Sequence, residues 1–115
     1  MEKISPREIN LISIIVPAFN QEKTIVKDLS RIKKVLDKLR YNSELICVID
    51  GKTDKTFERA SKFASNHENV KVIGYDTNKG KGYAVRYGMA ESKGDVVAFI
   101  DSGMDLNPNG LSMLL

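Results

Sequence analysis

The sequence contains no tryptophan, one histidine (His67) and one cysteine (Cys47). A lone thiol excludes an intramolecular disulfide framework and any multi-cysteine metal site, and it fits a reducing, cytoplasmic setting. Cys47 sits between Ile46 and Val48 and reads as a core residue. No apolar run approaches the length of about 20 residues that a membrane-spanning helix needs. The opening MEKISPREIN lacks the apolar stretch of a signal peptide and carries two acids. Charge of one sign is also lacking. With 18 basic against 15 acidic residues the net charge is +3, well short of the dense basic surface of a nucleic-acid binder, so no nucleic-acid partner is expected. Hydrophobic residues make up 42% and charged residues 29% of the 115 positions. Those values exclude disorder and describe one small globular unit with a single core.

Four short runs rich in β-branched residues are bounded by polar or Gly/Pro punctuation: Leu11–Val16, Leu45–Ile49, Val70–Ile73 and Val96–Ile100. They read as strands. Three are almost wholly apolar, as strands covered on both faces must be. The third carries Lys71 and is the expected edge strand. Between them lie three helical patterns. Gln21–Leu39 has Ile25, Leu29, Ile32, Leu36 and Leu39 on one stripe, opposite a solvated lysine face. Lys55–Ser65 turns Phe57, Ala60, Phe63 and Ala64 inward. Lys81–Ser92 turns Ala84, Tyr87 and Ala90 inward and stops at Gly94. Ser5-Pro6-Arg7-Glu8 is a capping-box pattern. Asn107-Pro108 reads as the start of a fourth helix, which the apolar ending LSMLL leaves unfinished. The expectation is that residues 1–115 are part of a longer domain truncated at its C-terminus. The β-α-β-α-β-α-β order predicts an α/β fold with a mainly parallel sheet and helices on both faces.

In such a sheet ligands bind beyond the carboxyl ends of the strands. Here those ends lead into Pro17-Ala18-Phe19-Asn20-Gln21-Glu22, Asp50-Gly51-Lys52-Thr53-Asp54, Asp76-Thr77-Asn78-Lys79-Gly80-Lys81-Gly82 and Asp101-Ser102-Gly103-Met104-Asp105. All four are crowded with carboxylates, amides, glycines or lysines, whereas the opposite edge, including His67, is plain loop. Helix capping accounts equally well for Asn20, Thr53 and Asp54; Asp50 and Asp101 end strands too far ahead of a helix for that. Asp101 and Asp105 are candidate ligands for Mg²⁺ or Mn²⁺, which favour hard oxygens and complete their shells with substrate phosphates. Lys79 and Lys81, with Gly80 and Gly82, are suited to approach a pyrophosphate through ammonium and backbone N–H groups. Asp50 is placed to accept hydrogen bonds from a base or ribose. Together these residues describe a nucleoside-diphosphate site with a metal. No G-x-x-x-x-G-K-[ST] run exists, and Val85 stands where a G-x-G-x-x-G fingerprint starting at Gly80 needs its last glycine.

Four ordered blocks then carry a resemblance. Ser13–Asn20 (SIIVPAFN), Val48–Asp54 (VIDGKTD), Asn78–Gly88 (NKGKGYAVRYG) and Phe99–Asp101 (FID) resemble glycosyltransferase family 2, closest to the polyprenol- and dolichol-phosphate sugar transferases. The resemblance implies a Rossmann-like three-layer sandwich, the N-terminal, nucleotide-sugar-binding half of a GT-A fold. It further implies a UDP- or GDP-sugar donor, a divalent cation and inverting transfer to an acceptor, polyprenyl phosphate among the candidates, at the cytoplasmic membrane face. By position, Pro17, Ala18, Phe19 and Asn20, with Glu22, resemble the loop that packs on the nucleotide. Asp50 resembles the base- or ribose-recognising carboxylate. Asn78, Gly80 and Lys81, supported by Arg86, resemble the loop near the base and diphosphate, and Asp101 the first aspartate of the D-x-D metal motif. Three departures stand out. Gln21 replaces the usual glutamate, Ile49-Asp50-Gly51-Lys52 replaces D-D-G-S, and Gly103 replaces the second aspartate, leaving Asp105 as the substitute ligand. The catalytic base is expected beyond residue 115, so this stretch alone is expected to be inactive. A homodimer through an open strand edge is a further expectation. The competing readings are a nucleotide-binding module without turnover and a sugar-nucleotide nucleotidyltransferase, although the latter's Gly/Arg-rich first loop is not present.

Overall fold

The computed structural model describes residues 10–101 and the backbone of residues 113–114. In chain order it contains β1 (Leu11–Ala18), α1 (Ile25–Asp37), β2 (Asn42–Asp50), α2 (Thr56–Ser65), β3 (Val70–Tyr75), α3 (Lys81–Glu91), β4 (Val96–Phe99) and β5 (Met113–Leu114). The sheet order is β3-β2-β1-β4-β5. The first four strands are mutually parallel, and β5 runs antiparallel to β4. The expected α/β class and parallel sheet are therefore observed, and β3, with Lys71, lies at an edge as expected. The capping-box turn at Ser5–Glu8, the helix start at Asn107-Pro108 and the candidate ligand Asp105 lie outside the described residues.

Strand alternation sorts the apolar side chains into two cores. Ile12, Ile14 and Val16 of β1 with Leu45, Cys47 and Ile49 of β2 pack under Ile25, Leu29, Ile32 and Leu36 of α1 and Ala60 and Phe63 of α2. On the other face Ile15, Ile46 and Val48 pack against Ala84 of α3, with Tyr87 and Tyr75 beside them. Burial holds the Cys47 thiol in its protonated form, its pKa pushed up to about 12, as expected of an unreactive core thiol. His67 is exposed and stacks on Phe63 with ring centroids 4.0 Å apart.

Two expectations need correction. The apolar ending was expected to open a helix, yet Met113 and Leu114 form a strand, paired with Ala98 and Val97. A short apolar run carries no periodicity that separates strand from helix, and here it covers the hydrogen-bonding edge of β4. On α3, Ala90 is exposed, and Gly88 is the residue buried with Ala84. A Cβ at position 88 would lie 2.6 Å from Cγ2 of Ile15 and 2.9 Å from Cγ2 of Val48. Both methyls belong to β-branched side chains with stiff χ1 angles, so they have little room to yield. An exposed helical glycine gains about 1 kcal/mol on change to alanine. Gly88→Ala is instead expected to lose about 1–3 kcal/mol by overpacking the α3–sheet contact. Urea denaturation checks this; unchanged or raised stability would contradict the close approach.

The edge opposite the strand C-termini is more organised than its sequence suggests. The buried Ser13 hydroxyl donates to Glu44 Oε2 at 2.6 Å and accepts from Gly94 N–H at 2.8 Å, while Lys93 N–H donates to the same Glu44 oxygen at 2.7 Å. Asp95 Oδ2 accepts from Asn10 and Leu11 N–H. These bonds fasten the α3–β4 turn to β1 and β2, which sets where β4 emerges at the opposite end.

Candidate functional site

The chain passes from β1 to β2 on one side and reaches β4 on the other, so the strand order reverses beside β1. The crevice outside the carboxyl ends at such a switch point is where open α/β sheets bind ligands. An open cleft of about 310 Å³ occupies it, lined by Pro17, Ala18, Phe19, Gln21, Asp50, Asn78, Gly80, Lys81 and Asp101. Loops after all four parallel strands thus contribute. Of the residues expected from sequence, the structure brings together Pro17, Ala18, Phe19, Asp50, Asn78, Gly80, Lys81 and Asp101. Asn20 and Glu22 are not in the lining. Asn20 adopts φ 48°, a left-handed conformation that asparagine tolerates, and its Oδ1 accepts a hydrogen bond from the Thr53 hydroxyl. The Glu22 carbonyl accepts from Arg59 Nη1 at 2.6 Å, on the α2 side of the loop.

The first wall is the loop after β1. Gln21 holds its shape: Oε1 accepts from Phe19 N–H at 3.1 Å, and its own N–H donates to Thr56 Oγ1 at 2.8 Å. Phe19 is left 41% exposed at the cleft, presenting an aromatic surface of the kind on which planar ligands stack. Gln21 was noted in the sequence only as a departure from the family pattern, and its place in the lining was missed. Asp54, one residue ahead of the N-cap Lys55, accepts from Thr56 N–H at 2.9 Å at the start of α2. Burial raises its carboxyl pKa, but hydrogen bonds from Thr56 and Glu22 and the charge of Arg59 outweigh that and leave it below the ordinary value.

Asp50 forms the floor. It is 4% exposed, and its carboxylate accepts four hydrogen bonds. Oδ1 takes Tyr75 OH at 2.7 Å and Lys79 N–H at 2.7 Å; Oδ2 takes Asn78 Nδ2 at 2.9 Å and Gly80 N–H at 3.0 Å. Burial first, and then the hydrogen bond and charge of Asp50, push the Tyr75 phenol pKa well above its ordinary value. Tyr75 makes edge contacts with Tyr83 and Tyr87 of α3 at 5.2 and 5.0 Å. Sequence reasoning missed Tyr75 because it ends a strand 25 residues away from Asp50.

The far wall carries charge. Lys81 opens α3 directly after its N-cap residue Gly80, and both line the cleft, so the start of the helix and the ammonium group border it together. Lys81 Nζ lies 3.2 Å from Asp101 Oδ2, with the two side chains 55% and 45% exposed. Among the described residues no three His, Cys, Asp or Glu side chains are grouped to hold a metal by themselves. Arg86 is exposed on α3 and does not line the cleft. A cleft with an aromatic rim, one cation, one half-exposed carboxylate and a helix N-terminus suits a planar group joined to a polyanion.

Known proteins share the family pattern and the fold. The model of glycosyl transferase family 2 matches residues 13–115. A dolichol-phosphate mannosyltransferase of Pyrococcus furiosus is 33% identical over 104 residues, which cover 90% of this chain and 29% of the relative. A structure of S. aureus TarS 1–349 in complex with UDP-GlcNAc is 33% identical at a TM-score of 0.68, covering 79% of this chain and 26% of that one. Glucosyl-3-phosphoglycerate synthase from Mycobacterium tuberculosis, in complex with Mn²⁺, UDP and glucosyl-3-phosphoglycerate, is 33% identical at a TM-score of 0.64, covering 81% and 33%. The chain spans about 30% of the length of the curated relatives it matches. Among the described residues no helix is long and apolar enough to cross a membrane.

Proposed function

Because the chain belongs to glycosyl transferase family 2, we propose that its cleft binds the nucleoside diphosphate of a UDP- or GDP-sugar. The protein it represents would pass that sugar, with inversion, to an acceptor such as a polyprenyl phosphate at the cytoplasmic membrane face. The observation that carries the reading is the convergence of four strand-end loops on one cleft with Phe19 at its rim and Lys81 and Asp101 at its far wall. The kinship with a dolichol-phosphate mannosyltransferase supports the lipid-linked acceptor.

In this reading Phe19 packs on the base, and the α3 N-terminus and Lys81 face the diphosphate. As the acceptor oxygen attacks the anomeric carbon, the bond from that carbon to the diphosphate breaks and its electron pair leaves with the diphosphate. The Lys81 ammonium is placed to offset the charge that accumulates there. Asp101 fits a divalent cation: its carboxylate supplies a hard oxygen at the cleft, and substrate phosphates and water would complete the shell. When bound, Mg²⁺ or Mn²⁺ would neutralise the leaving group. Asp105 remains the proposed second ligand, and the base that activates a hydroxyl acceptor is proposed to lie beyond residue 115.

Calorimetry with UDP, GDP and their sugars, with and without Mn²⁺, tests the proposal. Metal-enhanced binding of one of the two nucleotides is expected. No binding at millimolar nucleotide to a folded sample would overturn it, and binding indifferent to metal would favour a module without turnover.

A further inference from the structure

The net charge of +3 is not spread evenly over the surface. Between residues 21 and 65, the stretch that carries α1 and α2, nine lysines and arginines are exposed against two acids, Asp37 and Glu58. On α1 the exposed Lys27, Lys34 and Lys38 recur at spacings of seven and four and so share one stripe. That stripe lies opposite Ile25, Leu29, Ile32 and Leu36, which pack on the sheet. Lys23 is exposed in the turn ahead of the helix. On α2 the exposed Arg59 and Lys62 line a groove of about 340 Å³ together with Val26 of α1 and Phe63. No carboxylate is in that lining. Lys23, Lys27, Lys34, Lys38 and Lys62 have no ion-pair partner among the described residues.

The make-up of this face selects its partner. Protein interfaces are anchored by buried aromatic and aliphatic side chains and are depleted in lysine. Here Val26 is the one large apolar side chain exposed on either helix, and the apolar side of α1 is already committed to the core. Ammonium groups on long flexible stems suit a diffuse anionic plane. The headgroups of an anionic bilayer form such a plane and attract clustered lysines and arginines within a Debye length.

We propose that the α1–α2 face docks, without insertion, on an anionic lipid bilayer, with headgroup phosphates along the lysine stripe and at the mouth of the Arg59–Lys62 groove. Both helices start from the strand ends that border the cleft, so docking sets the cleft beside the bilayer surface. The inference extends the lipid-acceptor reading above, but its basis is the distribution of charge, and its test needs no nucleotide.

Co-sedimentation with vesicles supplies that test. At about 0.1 M salt the chain is expected to bind phosphatidylcholine vesicles that contain about 30% phosphatidylserine, to ignore pure phosphatidylcholine, and to be released at about 0.5 M salt. Lys27→Gln combined with Lys34→Gln should weaken binding about 10- to 30-fold, at about five-fold per charge. Lys71→Gln combined with Lys93→Gln removes the same net charge from the β3 edge and the α3–β4 turn, and should weaken it by less than about three-fold. None of the four side chains is buried, so the circular dichroism of both variants should match wild type. Failure of wild type to bind the anionic vesicles, equal binding to both vesicle types, or equal losses in the two double variants would overturn the proposal. Tighter binding to a duplex oligonucleotide than to the anionic vesicles at the same salt would also overturn it, by assigning the face to nucleic acid. Vesicle binding as described in a chain that binds neither UDP nor GDP would leave the docking standing and remove the nucleotide reading.

Discussion

Asp101→Ala is expected to weaken nucleoside diphosphate binding about ten-fold or more when Mn²⁺ is present, and to strengthen it several-fold when the metal is chelated. The change of sign follows from the position of the carboxylate. Asp101 lies at the cleft and pairs with Lys81 at 3.2 Å. In the absence of metal it competes with an incoming diphosphate for that ammonium and repels the anion. Two like unit charges about 4 Å apart in water cost about 1 kcal/mol, which corresponds to roughly five-fold in affinity. With the metal present the same carboxylate becomes the protein's hold on a cation that the diphosphate shares, and its removal forfeits charge-assisted contacts of about 1.5–3 kcal/mol. The fold should be indifferent to the change. Both partners are about half exposed, and pairs of that kind contribute about 0–1 kcal/mol. Titrations in Mn²⁺ and in chelator, run beside a denaturation curve, check all three statements. Equal affinity of wild type and variant in Mn²⁺ would remove Asp101 from the metal site.

Lys81→Ala is expected to weaken the same nucleotides about 10- to 100-fold, with or without metal. The side chain is the one cation lining the cleft among the described residues, and it stands on the first turn of α3, where the helix dipole adds to its field. Losing a hydrogen bond between charged partners accounts for about 1.5–3 kcal/mol. Lys81→Arg keeps the charge and should retain most of the affinity. Lys79, whose ammonium sits 4.8 Å over the Tyr83 ring, is not in the lining, so Lys79→Ala serves as the comparison. An Ala variant at position 81 that binds no worse than one at position 79 would contradict the assignment. These measurements need only binding, so they do not depend on the residues that supply the acceptor site.

Much of the architecture was legible in the residues because it rests on local patterns. The runs around Ile14, Cys47, Val72 and Ala98 are apolar on both faces or nearly so, and Lys71 marks the strand left at an edge. The 3.6-residue stripe of Ile25, Leu29, Ile32 and Leu36 fixes α1, although the segment ahead of Ile25 is a turn in which the Gln21 carbonyl accepts from the N–H groups of Thr24 and Ile25. Alternation of strands and helices places every strand-end loop on one edge, which is why Phe19, Asp50, Asn78, Lys81 and Asp101 could be grouped before any coordinates.

What escaped the sequence depends on distant partners. Ala90 satisfies the α3 periodicity as well as Gly88 does, and only the closeness of Ile15 and Val48 selects the glycine. The Ser13–Glu44–Gly94 network links residues 31 and 81 positions apart, so that edge reads as ordinary loop. Asp50 was legible as a carboxylate at a strand end, but its occupation by Tyr75, Asn78, Lys79 and Gly80 requires β3 to be placed beside β2. In the same way the Gly80 N–H, expected to face a pyrophosphate, is turned toward Asp50. The side chain of Lys81 and the helix start are what remain directed at the cleft.

The central claim is that the rim formed by the β1, β2, β3 and β4 loops is where a nucleoside diphosphate binds. Amide chemical-shift mapping of this chain, titrated with UDP and with GDP in Mg²⁺, tests it most directly. The account predicts saturable shifts concentrated at Ala18, Phe19, Asp50, Asn78–Lys81 and Asp101. Shifts centred instead on the separate groove of Val26, Arg59, Lys62, Phe63, Asn66 and His67 between α1 and α2, or no shifts at millimolar nucleotide, would contradict it.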